Sequence, residues 1–267
     1  MSELGAAALG VVAAAPVTVV IGANDTGKST LVTRLAGALA AAGHTVAVVD
    51  ADLGQSDVGP PMTVGLGLVP RGLTSLRDAP VIALEFLGVT SPATCMPQTA
   101  EATARLVQRA RARGCTRVLV NTSGLIEGPF GRALKRLKIE RVAPDLLVVL
   151  ERGAECEAIV APYATAGGPA VLRLAAAPTT RRSAAVRREA RQRALRVHLA
   201  GASPATLDLS RVAIRAVPSE RDPLLLPLDG ALVGLVTRQG ETLGLGVVRE
   251  LDVEQGRLTV LTRVDLA

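Results

Sequence analysis

The stretch that decides the fold is Gly22-Ala23-Asn24-Asp25-Thr26-Gly27-Lys28-Ser29, which directly follows the apolar run at residues 17–21. Two glycines, a lysine and a hydroxyl at this spacing, between a strand and a helix, form the phosphate-binding P-loop pattern. Its backbone N–H groups and the helix dipole attract phosphate, Lys28 can reach the β and γ oxygens, and Ser29 can bind Mg²⁺. The alternative is a glycine-rich turn without a ligand. The predicted nucleotide contacts are Gly22, Asn24, Asp25, Thr26, Gly27, Lys28, Ser29 and Thr30.

The composition is that of a folded protein with many arginines. Of 267 residues 49% are hydrophobic, but the aromatic residues number only three, so a nucleic-acid site can rely little on ring stacking. The 27 arginines and three lysines outnumber the 24 acidic residues, which gives a formal net charge of +6. This charge favours a polyanionic partner, although an arginine-rich coding bias would give the same numbers. Three widely spaced cysteines indicate a reducing cytoplasm rather than a disulfide framework.

The uncharged stretch at residues 5–23 resembles a membrane helix in composition only. Pro16 interrupts it and its second half leads into the P-loop, so we predict a buried strand there and no membrane association. The segment Met1-Ser2-Glu3 offers no basic residue ahead of the apolar run, which argues against a secretory signal.

Strands and helices alternate along the next part of the chain. Apolar runs predict strands at 45–49, 81–89, 117–120, 146–150 and 170–174, and helical patterns are found at 29–42, 98–113, 130–142 and 154–164. The alternation predicts an α/β fold of the P-loop NTPase kind, a mostly parallel sheet with helices on both faces. We expect one domain at 1–200 with an arginine-rich helix around 181–199. Short runs at 231–236, 242–248 and 257–264 predict a small β appendage at 201–267.

Two further groups of residues can carry chemistry. Asp50 and Asp52 follow the second strand beside the P-loop, where one carboxylate can help to hold Mg²⁺ through water and the other can accept a proton. A loop-capping Asp-x-Asp turn is the alternative. In the arginine-rich helix, Arg187 and Arg191 share one face and Arg182 precedes it, so these groups can neutralise a transferring phosphoryl group or form a solvated face.

The lysines of the helix predicted at 130–142 allow two interpretations. Lys135 and Lys138, with the arginines at 132, 136 and 141, form either the basic wall of a groove or a solvated helix face, and the composition favours the solvated face.

These segments together resemble one family. The P-loop with Asp25 inside it, the Asp-x-Asp-x-Gly-Gln-Ser run, Pro60-Pro61, Gly88-Val89-Thr90-Ser91-Pro92, Asn121-Thr122-Ser123-Gly124 and Arg182-Ser183 before Arg187-Arg188 occur in this order. The order resembles the polynucleotide 5′-hydroxyl kinase family, which includes kinases of pre-mRNA cleavage, tRNA splicing and ribosomal-RNA processing. The resemblance covers roughly residues 17 to 200.

The resemblance implies roles for particular residues. Lys28 and Ser29 would contact the ATP phosphates and Mg²⁺. From its position beside the P-loop, and not from the resemblance, we expect Asp50 to help hold Mg²⁺ through water. Asp52 matches the carboxylate proposed as general base. Arg182 and Arg187 match the paired arginines of a lid over the γ-phosphate. The residues expected to border the nucleic-acid substrate are Gln55, Thr90, Ser91, Asn121, Thr122 and Gly124.

The chain departs from the family pattern at Leu125, where eukaryotic members usually carry a tryptophan that is thought to clamp a base. Leucine cannot stack in this way, and stacking is worth roughly 1–3 kcal/mol per base. Eukaryotic relatives also have an amino-terminal domain ahead of the P-loop. We therefore expect substrate binding to depend on arginines and to be tolerant of base sequence or sugar.

The leading hypothesis is an ATP-dependent kinase, with Mg²⁺, that phosphorylates the 5′-hydroxyl of single-stranded or end-exposed RNA or DNA. No stable protein partner is implied. One alternative is a non-catalytic ATP-binding scaffold in an RNA-processing assembly. Another is a P-loop GTPase or small-metabolite kinase, but we find no Asn-Lys-x-Asp segment that would bind guanine and no clustered Cys or His of a metallochaperone.

Overall fold

The computed structural model describes residues 3–164, 167–177, 179–180, 182–217 and 228–266, with side chains from residue 8 onward. Arg181 and positions 1–2, 218–227 and 267 of the two predicted domains lie outside these ranges. The helices are α1 (Glu3–Ala14), α2 (Lys28–Ala41), α3 (Met96–Ala112), α4 (Gly128–Val142), α5 (Glu157–Val160) and α6 (Ala184–Leu199). The strands are β1 (Val17–Gly22), β2 (Val46–Ala51), β3 (Thr63–Leu68), β4 (Val81–Phe86), β5 (Arg117–Thr122), β6 (Leu146–Glu151), β7 (Ala170–Ala175), β8 (Ser203–Asp208), β9 (Leu232–Val236), β10 (Thr242–Asp252) and β11 (Arg257–Thr262).

A parallel sheet in the order β7-β6-β1-β5-β2 forms the centre of the fold. Helices cover both faces, so β1, β2 and β6 are buried along their whole length and each sequence is apolar except at one residue, Thr18, Asp50 or Glu151. Val12 of α1 and Leu39 of α2 pack on one face, and Leu106 of α3 and Ile139 of α4 pack on the other. The α/β fold with a parallel sheet between helices is confirmed.

The structure corrects three details of the sequence analysis. The first half of the stretch predicted as a strand is α1, and β1 begins only after Pro16; without polar residues the stretch has no helical period that would distinguish it from a strand. β3 was not predicted, and it pairs antiparallel with β2 and β4. The helix predicted at 154–164 is reduced to α5 and a 3₁₀ turn at Ala161–Tyr163, because Pro162 cannot continue an α-helix.

The carboxyl-terminal strands extend this sheet. β10 joins β4 through the pair Thr242 and Leu84, and β9, β11 and β8 follow, all antiparallel. This part has its own apolar cluster, Leu235, Val248, Leu258 and Val260. The three predicted strands are present, and the division at residue 200 stays a prediction. Within the described ranges no helix is long and apolar enough to cross a membrane.

The substitution Gly65→Ala tests how the loop after β2 packs on β3. A Cβ at this position would lie 1.9 Å from the Val58 carbonyl oxygen, so the backbone would have to move. Overpacking of this kind costs about 1–3 kcal/mol, so we expect urea titration to show a free energy of unfolding lower by about 2 kcal/mol. In the control Gly10→Ala, the added Cβ has nothing within 4 Å, and a gain of up to about 1 kcal/mol is expected. Unchanged stability of Gly65→Ala would contradict the described packing.

Candidate active site

The site lies at the carboxyl edge of the parallel sheet, where β1, β5 and β2 end side by side. Open α/β sheets bind their ligands at this edge. The P-loop connects β1 to α2, and two of its glycines are required by the backbone. A Cβ on Gly22 would lie 2.3 Å from the Leu150 carbonyl oxygen of β6. Gly27, the residue before α2, has a φ of 92°, which a residue with a Cβ rarely adopts.

The side chain of Lys28 is turned back onto the loop. Its Nζ donates a hydrogen bond to the Ala23 carbonyl oxygen at 2.6 Å, and the residue is only 7% exposed. Burial lowers the pKa of Lys28 to about 8, while the charge of Asp52 acts in the opposite direction. An ammonium group has three donors, so two of them remain for phosphate oxygens.

The buried amide of Asn121 joins the P-loop to the second strand. Its Nδ2 donates to Ser29 Oγ and to Asp50 Oδ1, both at 3.1 Å. Its Oδ1 is buried and has no partner among the described residues. Asn121 therefore fixes the hydroxyl of Ser29 relative to Asp50 and leaves one acceptor beside that hydroxyl.

Asp50 organises the loop that follows β2. Its Oδ2 accepts hydrogen bonds from the backbone N–H groups of Asp57 and Val58, and its Oδ1 accepts one from the N–H of Asp52. The residue is fully buried. Burial is the main reason why the pKa of Asp50 is raised to about 7, and repulsion from Asp57 and Asp52 adds to it. Its predicted water-mediated contact with Mg²⁺ stays a prediction.

Asp52 is the first residue of this loop. Its Oδ1 accepts hydrogen bonds from the backbone N–H groups of Gly54 and Gln55, each at 3.1 Å, which makes the Asp-x-Asp segment a capped turn as well as a carboxylate pair. No described residue donates to its Oδ2. The Gln55 side chain donates to the Gly54 carbonyl at 2.6 Å and to the Arg187 carbonyl of α6 at 3.3 Å, so it connects this loop to the helix above the site.

The carboxylate of Asp25 holds that helix against the P-loop. Its Oδ1 accepts a hydrogen bond from Arg182 Nε at 3.0 Å. Its Oδ2 accepts one from the backbone N–H of Arg182 at 3.1 Å and one from Arg187 Nη2 at 2.6 Å. Burial acts to raise the pKa of Asp25, but the hydrogen bonds from Arg182 and Arg187 outweigh it, and the pKa lies below its ordinary value. No residue of α6 is buried, so these charged contacts are a main attachment of the helix to the site.

A cavity of about 410 Å³ lies between the P-loop, the Asp52 loop and α6. Most predicted site residues line it: Asn24, Asp25, Gly27, Lys28, Ser29, Thr30, Asp52, Gln55, Thr122, Arg182 and Arg187. Seven others lie outside its lining, namely Gly22, Thr26, Asp50, Thr90, Ser91, Asn121 and Gly124. Of these, Thr26, Asp50 and Asn121 are buried behind it, and Gly124 packs against Asn24.

Thr90 and Ser91 do not line the cavity. The Thr90 carbonyl approaches Gly54, and Ser91 precedes the 3₁₀ turn Pro92–Thr94. Their contact with a nucleic acid therefore stays a prediction.

The sequence analysis missed two arginines of the site. Arg152 follows β6 and its Nη2 donates to the Asp25 carbonyl at 2.6 Å and to Thr179 Oγ1 at 3.2 Å. Its place at the end of a parallel strand was a usable signal. Arg77 lines the cavity and forms a 2.9 Å ion pair with Asp57. No motif marks Arg77.

The prediction of a solvated face for Lys135 and Lys138 is wrong. Both side chains are buried, at 0% and 1% exposure, and point under the strand ends rather than into solvent. They lie on the same side of α4 as Leu134, Ile139 and Val142, which are buried. The neighbouring Arg132 and Arg136 are exposed, so the basic residues of this helix divide between its two sides.

The chain is similar to proteins of a known family. The family described as mRNA cleavage and polyadenylation factor CLP1 P-loop matches residues 22–201. A polyribonucleotide 5′-hydroxyl-kinase of Thermococcus kodakarensis is 30% identical to this chain. The alignment is 294 residues long with its gaps and covers 92% of this chain and 82% of that protein. One from Pyrococcus furiosus is 29% identical over 296 residues, with coverage of 92% and 82%. The solved wild-type Clp1p–Pcf11p complex has a similar fold, with a TM-score of 0.64 at 15% identity over 94% of this chain and 71% of that one.

The variant Asp25→Asn tests how α6 is attached to the P-loop. It keeps the shape of the side chain and removes the charge that pairs with Arg182 and Arg187. A hydrogen bond to a charged group contributes about 1.5–3 kcal/mol, less where it is solvent-screened, so we expect roughly tenfold faster hydrogen exchange of α6 amides.

The control for this experiment is Glu189→Gln, which removes an exposed carboxylate of α6 that faces Arg193. Its exchange should match that of the wild type. Because the pKa of Asp25 is lowered, the attachment should be complete above the unfolded-state pKa of about 3.9 and be lost as pH falls through the native value. Equal α6 exchange in Asp25→Asn and wild type would show that the ion pairs do not hold the helix.

Proposed function

The chain belongs to the CLP1 P-loop family, and on this basis we propose that it is an ATP-dependent polyribonucleotide 5′-hydroxyl kinase. One observation carries the proposal: Lys28 of the P-loop, Asp52, and the pair Arg182 and Arg187 at the start of α6 line the same cavity. The family match and the archaeal relatives named as kinases of RNA 5′-hydroxyl ends support the choice of acceptor. A site for nucleotide binding alone has no evident need for a carboxylate opposite the phosphate loop.

Phosphoryl transfer needs the donor to be positioned and its negative charge to be offset. In the proposed reaction the β and γ phosphates lie along the P-loop, where they accept hydrogen bonds from backbone N–H groups and from Lys28. Arg182 and Arg187 lie on the opposite side of the cavity, already close to the loop through Asp25. A γ-phosphate between the two sides would meet positive charge from both.

Asp52 is the proposed general base toward the 5′-hydroxyl. The N–H groups of Gly54 and Gln55 hold its Oδ1, which orients the carboxylate. Its Oδ2 is available to accept the proton as the 5′-oxygen attacks phosphorus. A general base of this kind contributes typically 10²–10⁴-fold to the rate.

The site also fits Mg²⁺. Ser29 Oγ and the unpartnered Asn121 Oδ1 are oxygen ligands of the type this ion prefers, and Asp50 lies behind them to accept from bound water. Ser29 would hold the ion, with Asn121 and Asp50 as water-mediated contacts. Mg²⁺, when bound, offsets charge on the β and γ phosphate oxygens.

Substrate grip in this proposal relies on charge. Arg77 and Arg191 line the cavity together with Arg182 and Arg187. The position at which eukaryotic family members carry a tryptophan is occupied by Leu125. Contacts to phosphates carry no base specificity, so we extend the proposal to single-stranded or end-exposed DNA as an acceptor. The three cysteines are free and buried, which supports the proposed cytoplasmic setting.

The assay for this function uses purified chain, Mg-ATP labelled on the γ-phosphate, and short oligonucleotides with a 5′-hydroxyl. We expect label on the 5′ end of single-stranded RNA, and no label on the same RNA that already carries a 5′-phosphate. Parallel reactions with DNA, duplex ends and GTP define acceptor and donor. No labelling at any pH or salt concentration, with ATP binding intact, would favour the non-catalytic scaffold.

The variant Asp52→Asn tests the proposed base. We expect kcat to fall by about 10²–10⁴-fold because the amide cannot accept the proton, while the Kd for ATP changes little. The matched control is Glu101→Gln, which removes an exposed carboxylate paired with Arg141 and should leave kcat unchanged. Near-wild-type turnover of Asp52→Asn would remove Asp52 from this role.

A further inference from the structure

All three lysines of the chain lie beside the proposed active site. The chain has 27 arginines, and none of those that the structure describes is buried. The lysine side chains are buried: Lys28 is 7% exposed, Lys135 0% and Lys138 1%. Lys28 belongs to the P-loop. Lys135 and Lys138 have no part in the reaction proposed above, although they are ionisable groups buried next to it.

The two ammonium groups of α4 bind the ends of two neighbouring strands. Lys138 Nζ donates to the Ala51 carbonyl oxygen at the last residue of β2, at 2.9 Å. Lys135 Nζ donates to Thr122 Oγ1 at the last residue of β5, at 3.0 Å, and to the Ser123 carbonyl oxygen. Ala51 and Thr122 are paired in the sheet, so the two contacts are side by side.

These strand ends carry the functional residues. Ala51 is followed by Asp52, and Thr122 lies between Asn121, which binds Ser29, and Gly124, which packs against Asn24 of the P-loop. A shift at either strand end would therefore move the proposed base or the Asn121 amide that donates to the P-loop hydroxyl. Reactions of this type are sensitive to such shifts, because a displacement of 1 Å can cost about 10²-fold in rate.

The arrangement is electrostatically unfavourable for the lysines themselves. Burial is the main cause that lowers the pKa of Lys138 to about 8 and the pKa of Lys135 well below its usual range, and repulsion from Lys138 and Lys28 lowers that of Lys135 further. Asp52 is the acidic group that interacts favourably with all three lysines. Asp52 therefore offsets part of the cost of burying these groups.

We propose that Lys135 and Lys138 are positioning residues of the phosphoryl-transfer site, which hold the ends of β5 and β2, and with them Asp52, at a cost in protein stability. This inference rests on the proposed kinase function. It assigns neither lysine to contact with substrate.

The chemistry of the two side chains supports a role beyond packing. Burial of a charged ammonium group without a counter-ion costs free energy that an apolar residue of similar volume avoids, so packing of α4 alone gives no reason for lysine at these two positions. Arginine, which the chain uses at 27 of its 30 Lys and Arg positions, carries five N–H donors in a rigid fork. The one or two acceptors at each site would leave most of those donors buried and unsatisfied.

The test uses Lys138→Met and Lys135→Met in the full chain, because methionine keeps the length of the side chain and removes its charge. We expect each variant to keep or raise the midpoint of thermal unfolding and to lower kcat for 5′-hydroxyl RNA by about 10- to 100-fold. The KM for ATP should stay within about threefold, since the P-loop is unchanged. A purely structural role would lower the unfolding midpoint and leave the kcat of the folded protein unaltered.

The control is Arg111→Met on α3, which removes an exposed positive charge and should change neither quantity. Folded Lys138→Met and Lys135→Met proteins with wild-type kcat would overturn the inference. Loss of folding in both variants would also overturn it, because the lysines would then contribute stability. If the wild-type chain itself fails to phosphorylate RNA, the proposed function fails, and the unfolding midpoints still decide whether the buried charges cost stability.

Discussion

The site depends on one buried amide, that of Asn121. Its Nδ2 joins Ser29 at the start of α2 to Asp50 at the end of β2, and Asp50 in turn binds the backbone of the loop that contains Asp52. The bridge is possible because β1, β5 and β2 are adjacent, parallel and end at the same edge. An unpaired group at such a depth would cost about 1–3 kcal/mol, so the nucleotide loop and the proposed base loop keep one relative position.

The two walls of the cavity are held by different forces. The floor consists of strand ends and buried polar contacts, to which Lys135 and Lys138 belong, and it has little freedom to move. The opposite wall, α6, has no buried residue and is held by Asp25 and Gln55. Segments with few buried contacts open at low free-energy cost. A rigid set of strand ends opposite a helix that is held by ion pairs suits the proposed reaction. In that reaction the nucleotide enters, is enclosed together with the RNA end, and leaves.

Much of the fold and the identity of the site could be predicted from the sequence, because its signals are local. The P-loop pattern and the apolar strands fixed the position of Lys28 and the α/β alternation. The pairing of Asp25 with Arg182 and Arg187 could not be predicted. It joins the P-loop to arginines more than 150 positions away, at the start of a polar helix whose sequence gives no sign of what it contacts. The burial of Lys138 was missed because charge was taken as a sign of exposure, although the apolar residues around it on α4 have core spacing.

The structure of the chain with a non-hydrolysable ATP analogue and a short RNA bearing a 5′-hydroxyl tests the central claim most directly. We expect the γ-phosphate to lie between Lys28 and the pair Arg182 and Arg187, and the 5′-oxygen to lie within hydrogen-bonding reach of Asp52 Oδ2, at about 2.6–3.2 Å. An RNA end bound outside the cavity, or turned away from Asp52 with the nucleotide in place, would contradict the assignment of this site to 5′-phosphorylation.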